Sequence, residues 1–136
     1  MSSYNELQIS FSPNIETYNS ITDLLGTKAT NKDLTKFPLG IPGTWTHTVI
    51  LNGQDPYFDF INNFLDILEN KYEKLEDLGI QRNDISVWLF YEYDSQCNME
   101  FDPLRLKRLG DNGITLCISC WDSGLEYDMK DEKEAV

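Results

Sequence analysis

The chain has 136 residues, 40% of them hydrophobic and 12% aromatic, a composition that fits one globular domain with a single core and argues against intrinsic disorder. With 23 acidic and 11 basic residues the net charge is −12. That field repels phosphate backbones and anionic lipid surfaces, so it excludes nucleic acid and membrane as partners and favours a basic protein.

Leu7, Ile9 and Phe11 alternate with Gln8, Ser10 and Ser12, the period of a strand with one apolar face. Ser12-Pro13 predicts a helix start, Ile15, Tyr18, Thr22 and Leu25 its buried stripe, and Gly26 its stop. Residues 27–43 hold Pro38, Gly40, Pro42 and Gly43 without a sustained period and read as a long loop. Thr44 to Leu51 returns to alternation: Trp45, His47, Val49 and Leu51 point one way, Thr44, Thr46, Thr48 and Ile50 the other. Asn52-Gly53 is a turn signal. From Asp55 to Gly79 the spacing of Tyr57, Phe60, Ile61, Phe64, Leu68, Tyr72 and Leu75 predicts one long amphipathic helix, with Asp55 as cap, Pro56 at its first position and Gly79 as its stop.

Ile85 to Tyr93 is apolar on both faces, as a central strand should be. Asp94 to Asn98 is a polar loop. Asp102-Pro103 opens a third helix with Leu106 and Leu109, closed near Gly110 or Gly113, and Ile114 to Trp121 is a last strand. The tail from Glu126 is charged and expected to fray. One domain over residues 1–125, followed by a tail over 126–136, accounts for the chain. The order strand-helix-strand-helix-strand-helix-strand predicts an α+β two-layer sandwich, about four mainly antiparallel strands with three helices on one face.

Motifs with chemistry are few. Cys117 and Cys120 have CxxC spacing, but residues three apart on a strand point to opposite faces, and no second CxxC or nearby His completes a metal site. His47, the single histidine, falls on the apolar side of its strand and is expected to be structural. No GxSxG, HExxH or phosphate-binding glycine loop occurs. Asp94, Glu100 and Asp102 flank one loop without EF-hand spacing, which fits a solvated acidic loop better than a cation site. The sequence thus predicts no enzyme, no cofactor and no metal.

The second face of the sheet is the suggestive feature. If helices cover the Leu7, Val49, Leu89 and Leu116 side, the other side carries Thr46, Thr48, Trp88, Phe90, Cys117 and Trp121. That set is too apolar for a plainly solvated face and is the candidate contact surface. The alternative is that the 27–43 loop folds over it and closes a second small core. Aromatics on a sheet also suit base stacking, but such platforms come with basic residues, which are absent here.

The segment ITDLLGTKAT, the lone Trp45 opening a strand, the long helical stretch and LRLKRLGDNGITLCISCWDS together resemble a bacterial family known only as a domain of unknown function, serial four-two-seven-nine. The resemblance spans residues 7 to 123, with Ala29-Thr30 standing where Pro-Thr is usual. It implies an uncharacterised cytoplasmic bacterial α+β domain and carries no catalytic residues.

The expected function is therefore binding without catalysis: a small acidic protein that recognises a basic protein partner, one concrete form being an immunity-type inhibitor of a basic toxin domain. Two alternatives come from other classes. One is a small-molecule binding module or carboxylate-based enzyme, with a groove between loop 27–43 and the Trp88/Trp121 face; the other is a structural domain that forms homodimers through that face. The absence of an apolar spanning run, of a basic segment leading into an apolar one at the N-terminus, and of a disulfide pattern among three cysteines predicts a cytoplasmic setting.

Overall fold

The computed structural model describes residues 3–30, 40–51 and 58–123. Four strands form one sheet in the order β2-β1-β3-β4. Strand β1 (Ser3–Ser10) pairs antiparallel with β2 (Thr44–Leu51) and with β3 (Ile85–Tyr93), and β3 pairs in parallel with β4 (Thr115–Asp122). The helices are α1 (Ile15–Leu25), α2 (Phe60–Leu68), α3 (Tyr72–Asp77) and α4 (Pro103–Asn112), with a short 3-10 turn over Arg82–Asp84. This is the expected α+β architecture, a mixed and mostly antiparallel sheet with helices between the strands. The parallel pair is joined through α4, since parallel neighbours need a crossover rather than a hairpin.

Register explains which face is core. Leu7 stands opposite His47 on one side and Val87 on the other, and Ile9 opposite Trp45 and Ile85. Leu7, Ile9, Trp45 and Val87 are fully buried and join Ile21, Phe64, Leu65 and Leu75 from the helices in one cluster. Val49, Leu89 and Leu116 are partly buried against it, so the helices cover the face expected of them. Trp45 is held at both ends: its ring is buried and its indole N–H donates to Thr22 Oγ1 at 3.0 Å.

Two helix assignments are corrected. The first helix starts later than Ser12-Pro13. Asn14 is its cap, with Oδ1 accepting from Glu16 N at 2.8 Å and Thr17 N at 3.2 Å, and the amide side chain reaches the orphan donors of the first turn. Its buried stripe is Tyr18, Ile21 and Leu25; Ile15, in the first turn, is 43% exposed. The stop at Gly26 is as expected, with φ +63.

The single long helix from Asp55 to Gly79 is two helices. Its expected start, Asp55, Pro56 and Tyr57, lies outside the described residues, and α2 begins at Phe60 on its own cap, Asp59. The chain breaks after Leu68: Glu69 is extended and Asn70 takes a left-handed conformation with φ 68. Asn is the non-glycine residue that accepts that conformation most readily. The apolar period runs through the break because Leu75 still enters the core. Tyr72 keeps to the stripe as well, partly buried against the core. Its ring lies 3.5 Å beneath the Arg82 guanidinium, and its hydroxyl donates to Asn112 Oδ1 at 2.7 Å. A cation over an aromatic face together with a hydrogen bond offsets the lost helical turn.

Helix α4 follows the predicted chemistry: Asp102 caps it, Pro103 is its first residue, and Gly113 ends it with φ 69. It lies against α2 through charge. Arg105 bonds Asp59 and Asp102, and Arg108 bonds Asp66 and Glu69. Only Leu109 of this helix is buried; Leu106 is 45% exposed. The tail over 126–136 and the Asn52-Gly53 turn lie outside the described residues.

Candidate functional site

Alternation places Tyr4, Glu6 and Gln8 of β1 on the face away from the core. They align with Ile50, Thr48 and Thr46 of β2 and with Phe90, Trp88 and Ser86 of β3. The parallel pairing adds Cys117 beside Trp88, and Trp121 beside Glu92. All six candidate contact residues, Thr46, Thr48, Trp88, Phe90, Cys117 and Trp121, therefore lie on one face, and each is half-buried.

The aromatic part of the face is ordered by stacking. Tyr4 and Phe90 are cross-strand partners with ring centroids 4.5 Å apart and planes 11° from parallel. Trp88, two residues along β3, stacks on the same Phe90 at 5.3 Å and again 11°. Its indole N–H is satisfied by Ser86 Oγ at 2.8 Å, which holds the ring along the strand. Three rings thus form a continuous row across the two central strands. The cross-strand pair Tyr4–Phe90 contributes about 0.2–1 kcal/mol.

The other part is polar and belongs to the β2 edge. Thr30 N donates to Thr46 O at 2.7 Å, and Thr48 N donates to Thr30 Oγ1 at 2.9 Å, so residues at the start of the 27–43 segment continue the sheet edge. Thr48 Oγ1 donates to Glu6 Oε1 at 3.1 Å, and Gln8 Nε2 donates to Glu6 Oε2 at 2.6 Å. Glu6 is consequently fixed beside Trp88 in the middle of the face. Residues 31–39, on which the covering loop and the proposed groove depend, lie outside the described residues.

Tyr4 and Glu6 were missed in the sequence because the apolar period of β1 is legible only from Leu7. Asn5, a polar residue at a core position, interrupts it. The available signal was the outward set Tyr4, Glu6, Gln8, which keeps the two-residue period when extended back to Ser3.

Cys117 and Cys120 are on opposite faces of β4, with Trp88 and Tyr91 as their respective partners. Cys120 instead neighbours Cys97, whose thiol is pushed up by burial and by that second thiol. His47 Nδ1 meets Lys28 O at 2.8 Å, and its ring contacts Phe64 edge-on at 6.3 Å, a structural arrangement. Asp102 is engaged by Arg105, whereas Asp94 bonds Ser95 Oγ. Among the described residues no three His, Cys, Asp or Glu side chains gather in metal-binding geometry, and no helix is long and apolar enough to cross a membrane.

The fold and face together define a four-stranded α+β domain with an aromatic, acidic second sheet face. No known family, no curated protein and no solved structure matches this chain.

Proposed function

We propose that this protein acts by binding, not by catalysis, and that its second sheet face docks a basic surface of a protein partner. The observation that carries this reading is the stacked row Tyr4–Phe90–Trp88 flanked by Glu6 and Glu92, with no Lys, Arg or His at any outward position of the four strands. Aromatic faces attract cations through their quadrupoles, and the negative charge of Glu6 and Glu92 beside the row adds to that attraction. The net charge of −12 supports rapid, steered association with such a partner. A toxin neutralised by an immunity-type inhibitor is one form that a basic partner would take. The resemblance to an uncharacterised bacterial family adds a cytoplasmic bacterial setting to this reading.

Self-association through the face is the weaker reading. Two copies of an acidic face bring like charges together, which costs binding energy in place of supplying it. A ligand groove beside Trp88 and Trp121 needs a wall that residues 31–39 would have to provide.

The test is site-specific photo-cross-linking in the cells that make the protein, with the photoreactive group at position 90 and, as control, at exposed position 73. A cross-link at 90 to one basic protein, lost on raising salt and in Glu6→Lys, supports the proposal. Cross-linking only to a second copy, or equal yields from both positions, sinks it.

A further inference from the structure

A separate concavity of about 310 Å³ lies on the opposite side of the sheet, at the end where β1 begins and α2 starts. Its volume is at the lower end of the range for ligand pockets, roughly 300–1,000 Å³, and gives room for one or two fused rings. Phe58 and Phe60 line it from the helix side, Leu89 from the sheet and Phe101 from the segment before α4. Phe60 is only 2% exposed, so this wall is anchored in the core.

Asn5 lines the same cavity and is the anomaly of the core. It is 1% exposed, at the strand position where Leu7 and Ile9 continue the apolar pattern, and it is the single buried polar residue among the described ones. Its Nδ2 donates to Trp88 O at 3.3 Å. Among the described residues its amide oxygen accepts no hydrogen bond. Burying a half-satisfied amide is unfavourable, whereas an apolar residue here would complete the core. Glu100, exposed at the rim, adds a carboxylate to an already acidic molecule.

From this geometry we infer that the cavity is a binding site for a small, flat aromatic molecule bearing an N–H donor, neutral or cationic, whose donor bonds to the Asn5 amide oxygen. The aromatic walls take the ring. The rim carboxylate and the overall negative charge reject anionic counterparts. The site is on the other side of the sheet from the docking face and stands independently of that reading.

The experiment is a titration of the full chain with 2-naphthylamine, 2-naphthoate and naphthalene, followed by backbone amide NMR shifts. Saturable binding of the amine is expected, with shifts at the start of β1, the end of β3 and residues 98–101, and affinity about tenfold or more above that of the carboxylate and of the bare hydrocarbon. Asn5→Leu is expected to keep the fold and weaken the amine about tenfold. If Asn5→Leu does not fold, Leu89→Phe, which narrows the cavity from the sheet side, gives the same reading. Equal affinity for the three probes, no saturation with the amine, or undiminished binding in either folded variant overturns the inference.

Discussion

Arg105 grips Asp59 with two parallel hydrogen bonds, Nε to Oδ1 at 3.0 Å and Nη2 to Oδ2 at 2.8 Å, while its Nη1 reaches Asp102 at 2.6 Å. Asp59 caps α2 and Asp102 caps α4, so one guanidinium ties together the N-termini of two helices that are 46 residues apart along the chain at this contact. A planar fork that meets a carboxylate in two places is specific to arginine. Arg105→Lys is therefore expected to lose much of what Arg105→Met loses. Both should lower the urea midpoint, with Lys recovering less than half of what Met loses.

The same contact predicts an acid limb. The Arg105 hydrogen bonds hold the Asp59 carboxyl down at about 2, outweighing the burial that would raise it. Asp102 and Glu69 are lowered too, by Arg105 and Arg108 respectively. A carboxyl lowered in the folded state contributes stability above its unfolded pKa, near 4, and that contribution is lost as pH falls toward 2. Asp59 and Arg105 are partly exposed, so solvent screening reduces the share of Asp59 to on the order of 1 kcal/mol. Asp59→Asn is expected to be less stable than the parent at pH 6 and to show a flatter loss between pH 4 and pH 2, read from urea midpoints across that window.

Tyr72 sets an alkaline limb of opposite sense. Burial pushes its phenol up to about 12, against the lowering influence of the Arg82 cation over the ring. The neutral phenol is the form that folding favours. Its contribution is complete below the unfolded pKa, near 10, and declines as pH rises from about 10 toward about 12. Tyr72→Phe removes the hydrogen bond to Asn112 and should cost about 1 kcal/mol at pH 7. The variant should also be less sensitive to pH between 10 and 12 in thermal unfolding. An unchanged alkaline slope would contradict the assignment.

The indole of Trp45 offers a test inside the core. Its N–H has Thr22 Oγ1 as acceptor, and the ring is fully buried. Thr22→Val retains volume but removes the acceptor, so a buried donor is left unmatched. The expected cost is about 1–3 kcal/mol, with altered tryptophan emission, whereas Thr22→Ser should retain the bond and most of the stability.

Folding and binding should separate across the sheet. Val87 is fully buried, and Val87→Ala is expected to cost about 2 kcal/mol. Phe90 has the second face as its environment, and Phe90→Ser should cost about 1 kcal/mol through the lost stacking with Tyr4 and Trp88. The ranking reverses for association. Phe90→Ser is expected to weaken capture of the cross-linked partner more than tenfold, with Val87→Ala near parent affinity under folding conditions.

Much of the architecture was legible because it rests on local chemistry. Asp102-Pro103 and Gly113 bracket α4, Gly26 ends α1, and two-residue alternation marks β2 and β3. The break at Asn70 was not legible, because the apolar period from Phe64 to Leu75 passes through it unbroken. Tyr72 stays on that stripe, and the partners that hold it there, Arg82 and Asn112, come from other parts of the chain. The candidate face was half legible. Trp88, Phe90 and Trp121 follow from their own strands, but Tyr4 becomes part of the row only through the register that sets it opposite Phe90.

By itself, then, the sequence determined the strands, the two glycine-capped helix ends, the charge and which face of each strand is apolar, since these depend on residues within a few positions of one another. Strand order and register, the meeting of Cys97 with Cys120, the clamp of Arg105 across two helix caps and the cavity around Asn5 were decided only in three dimensions. Each joins segments far apart in the chain, and local periodicity carries no information about which distant partner a strand or a charge will find.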